Sequence, residues 1–466
     1  MSLKDLAKSF PDPIKQGLRY LYGTIPPSIR YGKVFWETYN FLKESQWWSR
    51  EKLQDYQMQQ LEKLLRHSYE NVPYYRRVLD ERGLRPKDIQ DFDDWKKLPY
   101  LDKDNFRLHF HELVARNIKL KNLPMSRTSG TTGKPLQFYE NPSTSQKELA
   151  FIYHQWSRVG LEPNDRLIQL RGAMINGNRP VEHDPIRKVL RLSPRLDNKK
   201  IIRYYLENIR RFRAKFLHGY PSTIAIFASM IKQYDFRVPF KLKAVLFASE
   251  TVYSWERKIT KEVFDCRVFS HYGMAEKAVL AGECENTHYY HCLPQYGMTE
   301  VDTDTNEVIG TSFLNYVNPF IRYCTTDIAS QIIHSKCGEC NRNYFPVFPS
   351  VEGRLEDFLI TPEGIHVSPA VITMPFKDLK MIKDTQIIQE SLDYIKLRIA
   401  SWGNCSSKVL EDELHQLCQG LQNILGPQMK IETEIVQSIQ LSKSGKFKWI
   451  ISEVSKDSFE KGLREV

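Results

Sequence analysis

Apolar positions along this chain fall into three textures. Between residues 52 and 70, Leu61, Leu65 and Tyr69 recur at four-residue spacing with Leu64 beside them, which predicts an amphipathic helix. Asn71-Val72-Pro73 ends it, because the residue before a proline is pushed out of the α region. From about residue 150 to 280, short apolar runs alternate with helical stretches. Leu167–Leu170, Phe216–Gly219 and Ala244–Phe247 read as strands, and the alternation predicts an α/β fold with a substantial parallel component. The last hundred residues differ. Ile395, Leu397 and Ile399 alternate with polar residues, Leu410, Leu414, Leu417, Leu421 and Ile424 step at helical spacing, and Ile431, Thr433 and Ile435 return to alternation. A strand–helix–strand unit of this size predicts a small separate α+β domain. The expected organisation is therefore a large α/β domain of several subdomains over residues 1–357, with 1–120 a mostly helical lead-in, and a small domain over 358–466. The boundary falls near Asp357, before Gly364.

A length of 466 residues, 41% hydrophobic and 26% charged, fits a globular chain of more than one domain. No apolar run approaches the roughly 18 residues that a membrane span needs. The start, Met1-Ser2-Leu3-Lys4-Asp5, carries no hydrophobic signal core, so a cytoplasmic protein is expected. The net charge of +11 is spread along the chain without a nucleic-acid module, and no nucleic-acid partner is expected. Residues 1–50 hold eight Lys/Arg against four Asp/Glu, a local net of +4, with Trp36, Trp47 and Trp48 interleaved. Such a segment either wraps its own domain or rests on anionic lipid as a peripheral contact.

The stretch Ser126-Arg127-Thr128-Ser129-Gly130-Thr131-Thr132-Gly133-Lys134-Pro135 gathers two glycines, four hydroxyl side chains after Arg127, and a lysine. Glycines let the backbone approach a ligand closely; hydroxyls and successive N–H groups make a concavity for an anion, to which Lys134 adds charge. The natural occupant is a polyphosphate. It is not the Walker loop, which needs four residues between its glycines and Ser or Thr after the lysine; here two intervene, and Pro135 follows Lys134.

Eight cysteines in this length make no disulfide framework, and their clustering points to metal. In Cys337-Gly338-Glu339-Cys340 both thiolates can face one ion, and Cys284 with His291 can close a Zn²⁺ tetrahedron. His288 and Cys292 are alternative ligands. An empty pair of thiols and a redox pair are the rival readings, the latter lacking a thioredoxin-like context at Asn341-Arg342-Asn343.

The glycine-rich loop resembles the phosphate-binding signature of the adenylate-forming superfamily of acyl-CoA synthetases and adenylation domains. Later stretches resemble its other signatures in the same order: His271-Tyr272-Gly273-Met274-Ala275-Glu276, Arg322-Tyr323-Cys324-Thr325-Thr326-Asp327, Gly353-Arg354-Leu355-Glu356-Asp357 and Ser444-Gly445-Lys446. Asn71-Val72-Pro73-Tyr74-Tyr75, Leu98-Pro99 and the Cys/His set are similar to the phenylacetate–CoA ligase-like branch, which includes members of capsular polysaccharide biosynthesis.

The resemblance implies a large domain followed by a small mobile one, and activation of a carboxylic acid with ATP and Mg²⁺ as an acyl adenylate. The acyl group then passes to a nucleophile, coenzyme A by default. It implies that Ser129, Gly130, Thr131, Thr132, Gly133 and Lys134 hold phosphates, and that Glu276 binds Mg²⁺ or aligns the α-phosphate. Ala248, Ser249 and Glu250 would flank adenine, Tyr272 would stack on it with Gly273 also in the ATP-binding set, and Asp327 and Arg354 would meet the ribose. Lys446 would be the catalytic lysine, with Lys443 and Lys448 as neighbouring competitors, and Asp357 the hinge. His218, Tyr220 and His271 would line the acyl pocket. Cys324 departs from the family's usual arginine. Other readings are a ligase forming an amide or ester on a polysaccharide, a deazaflavin-adenylating type of nucleotidyltransferase, and a zinc-stabilised binding module without catalysis.

Overall fold

The three apolar runs of the middle region become adjacent parallel strands with the predicted bounds. The computed structural model describes residues 12–121, 123–128, 136–171, 179–194, 196, 199–330, 337, 339–354, 359–362, 366–367, 372, 374–376, 379, 381–401, 407–439, 448–452 and 454. A short hairpin, β1 (Met125–Arg127) and β2 (Gln137–Tyr139), precedes the main sheet. The sheet strands in chain order are β3 (Leu167–Leu170), β4 (Val181–Asp184), β5 (Val189–Leu192), β6 (Phe216–Gly219), β7 (Ala244–Phe247), β8 (Arg267–Gly273), β9 (Leu280–Glu283) and β10 (Tyr290–Cys292). A second, antiparallel sheet follows: β11 (Gly297–Val301), β12 (Glu307–Ser312) and β13 (Tyr323–Ala329); then β14 (Val347–Phe348) returns to the main sheet and β15 (Val351–Arg354) completes the second.

Nine strands lie in the order β14-β10-β9-β8-β7-β6-β3-β5-β4. Pairing is parallel from β8 through β7, β6 and β3 to β5, and antiparallel outside that block. Parallel strands need coverage on both faces, and the helices supply it. In chain order these are α1 (Asp12–Thr24), α2 (Pro27–Arg30), α3 (Gly32–Ser45), α4 (Arg50–Asn71), α5 (Pro73–Glu81), α6 (Phe92–Lys96), α7 (Lys103–Leu108), α8 (Pro142–Ser157), α9 (Lys199–Phe212), α10 (Pro221–Gln233) and α11 (Ser254–Phe264). One face packs Leu167, Phe216, Ala244, Leu246 and Phe269 against Phe35 and Tyr39 of α3 and Trp156 of α8. The other packs Ile168, Leu217, Val245 and Val268 against Ile202 and Tyr205 of α9 and Phe227 of α10.

The helical lead-in wraps the large domain. Helix α4 starts at a Ser49 N-cap, whose side chain accepts from the Lys52 amide at 3.3 Å, and its Leu61, Leu64 and Leu65 join one core with Phe320 and Tyr323. Pro73, which ends α4, opens α5, where a missing N–H costs nothing. On α1, by contrast, Ile14, Leu18 and Leu21 are exposed, as are Ile29 and Trp47.

The small domain holds a hairpin β16 (Leu359–Ile360) and β17 (His366–Val367), then β18 (Ile382–Ser391), β19 (Tyr394–Ser401), α12 (Ser407–Leu425), β20 (Lys430–Ile435) and β21 (Ile450–Ser452). Its sheet order is β20-β19-β18-β21, and Leu417 and Leu421 of α12 are fully buried against Ile395, Leu397 and Ile399. Strand β18 was not read from the sequence. Thr433 and Ile435 differ from the half-buried expectation: β20 is an edge strand, and Ile435 is 60% exposed.

Arg322 ties the lead-in to the second sheet. Its Nε donates to Glu300 Oε1 at 2.7 Å, its Nη1 donates to the carbonyls of Lys96 and Leu98, and its guanidinium stacks on Tyr100 at 4.2 Å. The side chain is 6% exposed. Arg322→Ala should cost about 3–5 kcal/mol, because it strands the largely covered Glu300 carboxylate and two carbonyls. Arg322→Lys should recover only part of this, an ammonium lacking the planar fork. Urea unfolding of the three proteins checks both.

Candidate functional site

Strands β3, β6 and β7 end in one register row, β8 runs three residues past it, and chemistry gathers at their carboxyl ends, as expected where open α/β sheets bind ligands. His218 of β6 is in register with Leu246 of β7, which is in register with Phe269 of β8. His271 lies two positions beyond Phe269, so both histidines share one face of the sheet. Trp156 covers them, its ring 4.9 Å from His218 and 6.1 Å from His271. His218 Nδ1 lies 3.0 Å from the Leu246 carbonyl. A carbonyl only accepts, so Nδ1 carries the proton and donates. Burial, then the charge of Arg171, pushes His218 down to about 3 and His271 to about 4. Both imidazoles are neutral at ordinary pH.

Gly219 is required where β6 ends, since a Cβ there would meet the Leu170 carbonyl oxygen at 1.8 Å. Tyr220 then caps α10. Ala248 and Ser249 follow β7, Ser249 with a left-handed φ of 71°. Glu250 accepts from the Ser222 hydroxyl at 2.7 Å and the Ser222 amide at 3.3 Å, and so anchors the start of α10. Arg171, directly after β3, donates to Ser249 Oγ at 3.1 Å and lies over the Tyr220 ring at 5.2 Å.

Across β8 a second set of contacts reaches the antiparallel sheet. Tyr272 donates its hydroxyl to Asp327 Oδ2 at 2.7 Å, and burial followed by Asp327's charge raises the Tyr272 pKa. Asp327 is buried and pairs in register with Arg354 of β15. Glu276 is also buried and accepts from the Tyr323 hydroxyl at 2.9 Å; it is no ordinary surface carboxylate. Lys103 of α7 donates to Thr326 Oγ1 at 2.7 Å, beside Asp327. Below, Thr128 and Leu136 exchange hydrogen bonds at 2.8 and 2.9 Å, holding together the chain on either side of the glycine-rich stretch.

Cys284, His291, Cys337 and Cys340 come together with all ligand atoms within 4.8 Å of one another. Cys284 and Cys337 sulfurs are 4.0 Å apart, close to the about 3.8 Å between sulfurs of a tetrahedral zinc site with 2.3 Å bonds. The three thiols form no disulfide, and both ring nitrogens of fully buried His291 have no hydrogen-bond partner. Burial, then Arg158 and Arg342, lowers the His291 pKa to about 3, leaving the neutral form that ligates. An orphaned imidazole among three thiols fits a metal. His288 contacts Glu283 instead, and Cys292 lies outside the cluster.

Residues 359–453 match the model of the CapK C-terminal domain. The chain is 21% identical over 455 residues to Protein CapK of Staphylococcus aureus, covering 93% of this chain and 95% of CapK. It is 24% identical over 353 residues to the phenylacetate–coenzyme A ligase of Thermus thermophilus, covering 69% and 75%. A 2-hydroxyisobutyryl-CoA ligase in the postadenylation state with 2-HIB-AMP superimposes with a TM-score of 0.68 at 16% identity, over 89% of this chain and 92% of that one. The same ligase in its thioesterification state, with 2-HIB-AMP and CoA, gives 0.55 at 18% identity over 89% and 93%. Along most of its length the chain is thus similar to CapK and the phenylacetate–coenzyme A ligases, and it shares the fold of the adenylate-forming CoA ligases.

The sequence-derived residues divide into those the structure gathers and those it does not describe. Ala248, Ser249, Glu250, His218, Tyr220, His271, Tyr272, Gly273 and Glu276 lie near or beyond the ends of β6, β7 and β8, and Asp327 lies within β13, bound by Tyr272. Glu250 faces α10 through its side chain. Ser129, Gly130, Thr131, Thr132, Gly133, Lys134, Asp357 and Lys446 lie outside the described residues, as does the competitor Lys443. Lys448 is described, its carbonyl accepting from Gln386 at 2.8 Å, and the next residue, Trp449, touches Tyr253 of the large domain at 5.4 Å between ring centroids. Sequence reasoning missed Arg171, Trp156, Tyr323 and Lys103. For Arg171 a signal existed: it is the first polar residue after a parallel strand.

If zinc fills the Cys/His site, Cys340→Ser should lower bound zinc from one equivalent to well under half. It should also lower the melting temperature by several degrees, since metal binding is folding free energy. Elemental analysis and thermal unfolding of purified protein check both.

Proposed function

We propose that the protein uses ATP to activate a carboxylic acid as an acyl adenylate, and then transfers the acyl group to a nucleophile, with coenzyme A the first candidate. The observation that carries this reading is the Tyr272–Asp327 pair beside the buried Tyr323–Glu276 pair, at the open end of the sheet. In the adenylation step a substrate carboxylate oxygen bonds to the α-phosphorus, the bond from that phosphorus to the bridging oxygen breaks, and pyrophosphate leaves. Two anions must meet, so the site has to supply cations and aligned donors.

The roles follow from the chemistry of each group. Asp327 is an acceptor for ribose hydroxyls, positioned by Tyr272, whose ring offers a flat face to adenine. Glu276, held by Tyr323, is the carboxylate for Mg²⁺, which when bound offsets phosphate charge. Ser129 to Lys134 hold the β- and γ-phosphates, Arg354 approaches the ribose, and Lys446 meets the carboxylate and bridging oxygens. The domain boundary falls near Asp357, about which the small domain rotates between half-reactions. The higher TM-score against the postadenylation state, and the Trp449–Tyr253 contact, support an arrangement close to the one that follows adenylation. The Cys/His quartet holds a structural Zn²⁺ away from the chemistry. The relatives named phenylacetate–coenzyme A ligase favour a thiol acceptor, while the likeness to CapK keeps an amine or hydroxyl acceptor as the alternative.

Lys446→Ala should reduce acid-dependent pyrophosphate release by a factor on the order of 10²–10³, or roughly 3–4 kcal/mol, the usual effect of removing a positioned charge-stabilising group. The same variant should still transfer the acyl group from supplied acyl-AMP. Asp357→Pro should show the converse, because proline restricts the backbone rotation that alternation needs. Equal loss of both half-reactions in a folded Lys446→Ala protein would refute the assignment.

Localisation in the cytoplasm with a peripheral lipid contact is part of the same reading. Among the described residues no helix is long and apolar enough to cross a membrane, and Ile14, Leu18 and Leu21 lie on one exposed face of α1. Sedimentation with phosphatidylserine vesicles should be measurable in 50 mM salt and fall several-fold by about 500 mM as charges are screened. No sedimentation at low salt would remove the membrane contact from the proposal.

A further inference from the structure

The carboxyl end of β3 presents a cation for which the adenylation chemistry has assigned no task. Arg171 is half-buried, and among the described residues it forms no ion pair; its one hydrogen bond is to the neutral hydroxyl of Ser249. The guanidinium is held over the Tyr220 ring at 5.2 Å, which fixes its plane while leaving most of its five donors available. A cation kept in this setting without a carboxylate partner implies an anion supplied from outside.

The neighbours of Arg171 define what sort of anion. It continues the sheet face that bears His218 and His271, the face roofed by Trp156. His218 spends its Nδ1 proton on the Leu246 carbonyl, so its Nε2 presents a lone pair. His271 Nδ1 is buried without a hydrogen-bond partner. The walls are thus one fixed positive charge and two neutral imidazoles with hydrogen-bonding capacity to spare. An aryl or alkyl tail entering this space would desolvate all three without compensation, at a cost of about 1–3 kcal/mol for each unsatisfied group.

Strand order separates this cation from the Tyr272–Asp327 pair. Arg171 follows β3, and its guanidinium reaches the turn after β7, 3.1 Å from Ser249 Oγ and one strand spacing, about 4.8 Å, short of β8, where Tyr272 leads to Asp327. The residues flanking the glycine-rich loop, Leu136 and Phe138, belong to a different core with Phe320 and Tyr323 on the far side of β8. A carboxylate reacting near Tyr272 and a second anionic group at Arg171 would therefore occupy opposite ends of one molecule.

We propose that the acid activated here is a dicarboxylic acid whose far carboxylate is held by Arg171, with the neutral imidazoles of His218 and His271 lining the space between. The proposal rests on the adenylating reading above. It differs from what the names of the phenylacetate–coenzyme A ligase relatives state for those proteins, whose acid carries an uncharged ring.

The experiment measures ATP–pyrophosphate exchange with matched acids differing only in the far group: succinate against butyrate, glutarate against pentanoate, adipate against hexanoate. In the full-length wild-type protein, kcat/KM for the best diacid should exceed that of its monoacid by a factor on the order of 10², as expected when a site built to pair a polar group rejects the analogue lacking it. Arg171→Met should bring that ratio close to one, and Arg171→Lys should restore part of it. A wild-type ratio at or below one overturns the proposal, as does a ratio unchanged in Arg171→Met, which would assign the guanidinium to the reacting carboxylate or to phosphate. If no acid supports exchange, the adenylating reading fails on its own account. Calorimetric titration of the diacids with AMP present then decides the binding claim: affinity lost in Arg171→Met upholds it, and no affinity in wild type overturns it.

Discussion

Four consecutive parallel pairings require that strands β3, β6, β7 and β8 be apolar on both faces, and this confinement decides where chemistry can sit. Phe216, Leu217, Val245, Leu246, Val268 and Phe269 are all at most 3% exposed, covered by α3 and α8 on one side and α9 and α10 on the other. An unpaired polar group inside such a layer would cost about 1–3 kcal/mol or more. Polar side chains therefore emerge where the strands stop. Leu170, Gly219, Phe247 and Ser270 stand in one register row, where β3, β6 and β7 stop together and β8 runs on for three residues. Arg171, Tyr220, Ser249, His271 and Tyr272 follow that row, from four separate strands, into one cleft.

The same row explains the backbone at its edge. Gly219 can sit in it only because it lacks a Cβ, the Leu170 carbonyl being too near for any other residue. Beyond β7 the chain must turn sharply to enter α11, and Ser249 takes a left-handed conformation to do so. The cost of that conformation, about 1 kcal/mol or more for a residue with a side chain, is offset by local bonding: Ser249 Oγ accepts from Arg171, and the next residue, Glu250, binds the start of α10. The adenine-flanking turn and the proposed acid-binding cation are thus parts of one hydrogen-bonded arrangement.

Legibility in the sequence tracked local pattern. Strands β3, β6 and β7 were readable to their last residue, because a four-residue apolar run between polar stretches has few other fates in a parallel sheet. Helix α12 was readable from its leucine spacing, and the Cys/His quartet from the rarity of its ligands. Periodicity reports burial but not neighbours across strands. The apolar pattern marks Trp156 as a core position without saying that its ring meets His218 and His271. Arg322 was read as a motif residue, whereas the structure turns it away from Asp327 toward Glu300, Lys96 and Leu98, contacts 22 to 226 positions away in sequence. Ile435 was read as half-buried because alternation cannot tell an edge strand from a central one.

The metal quartet and the cleft share one line of backbone pairing. His271 at the cleft pairs with Gly282 of β9, and Gly282 pairs with His291 of β10, so a cleft histidine and a metal ligand stand two strand spacings apart, about 10 Å, in the same row. Gly282 sits between them because a Cβ there would collide with the Gln155 side chain at 2.1 Å. Gln155 belongs to α8, the helix that places Trp156 over His218 and His271. Arg158, the C-cap of that helix, donates to the Glu283 carbonyl at 3.2 Å, one residue before Cys284. A metal clamped between β9, β10 and the Cys337–Cys340 segment would therefore fix the register of β8–β9–β10 and, through Gly282, the seating of α8. The position of Trp156 over His218 and His271 would then depend on the Cys/His group two strands away, a physical link between that group and the end of the sheet.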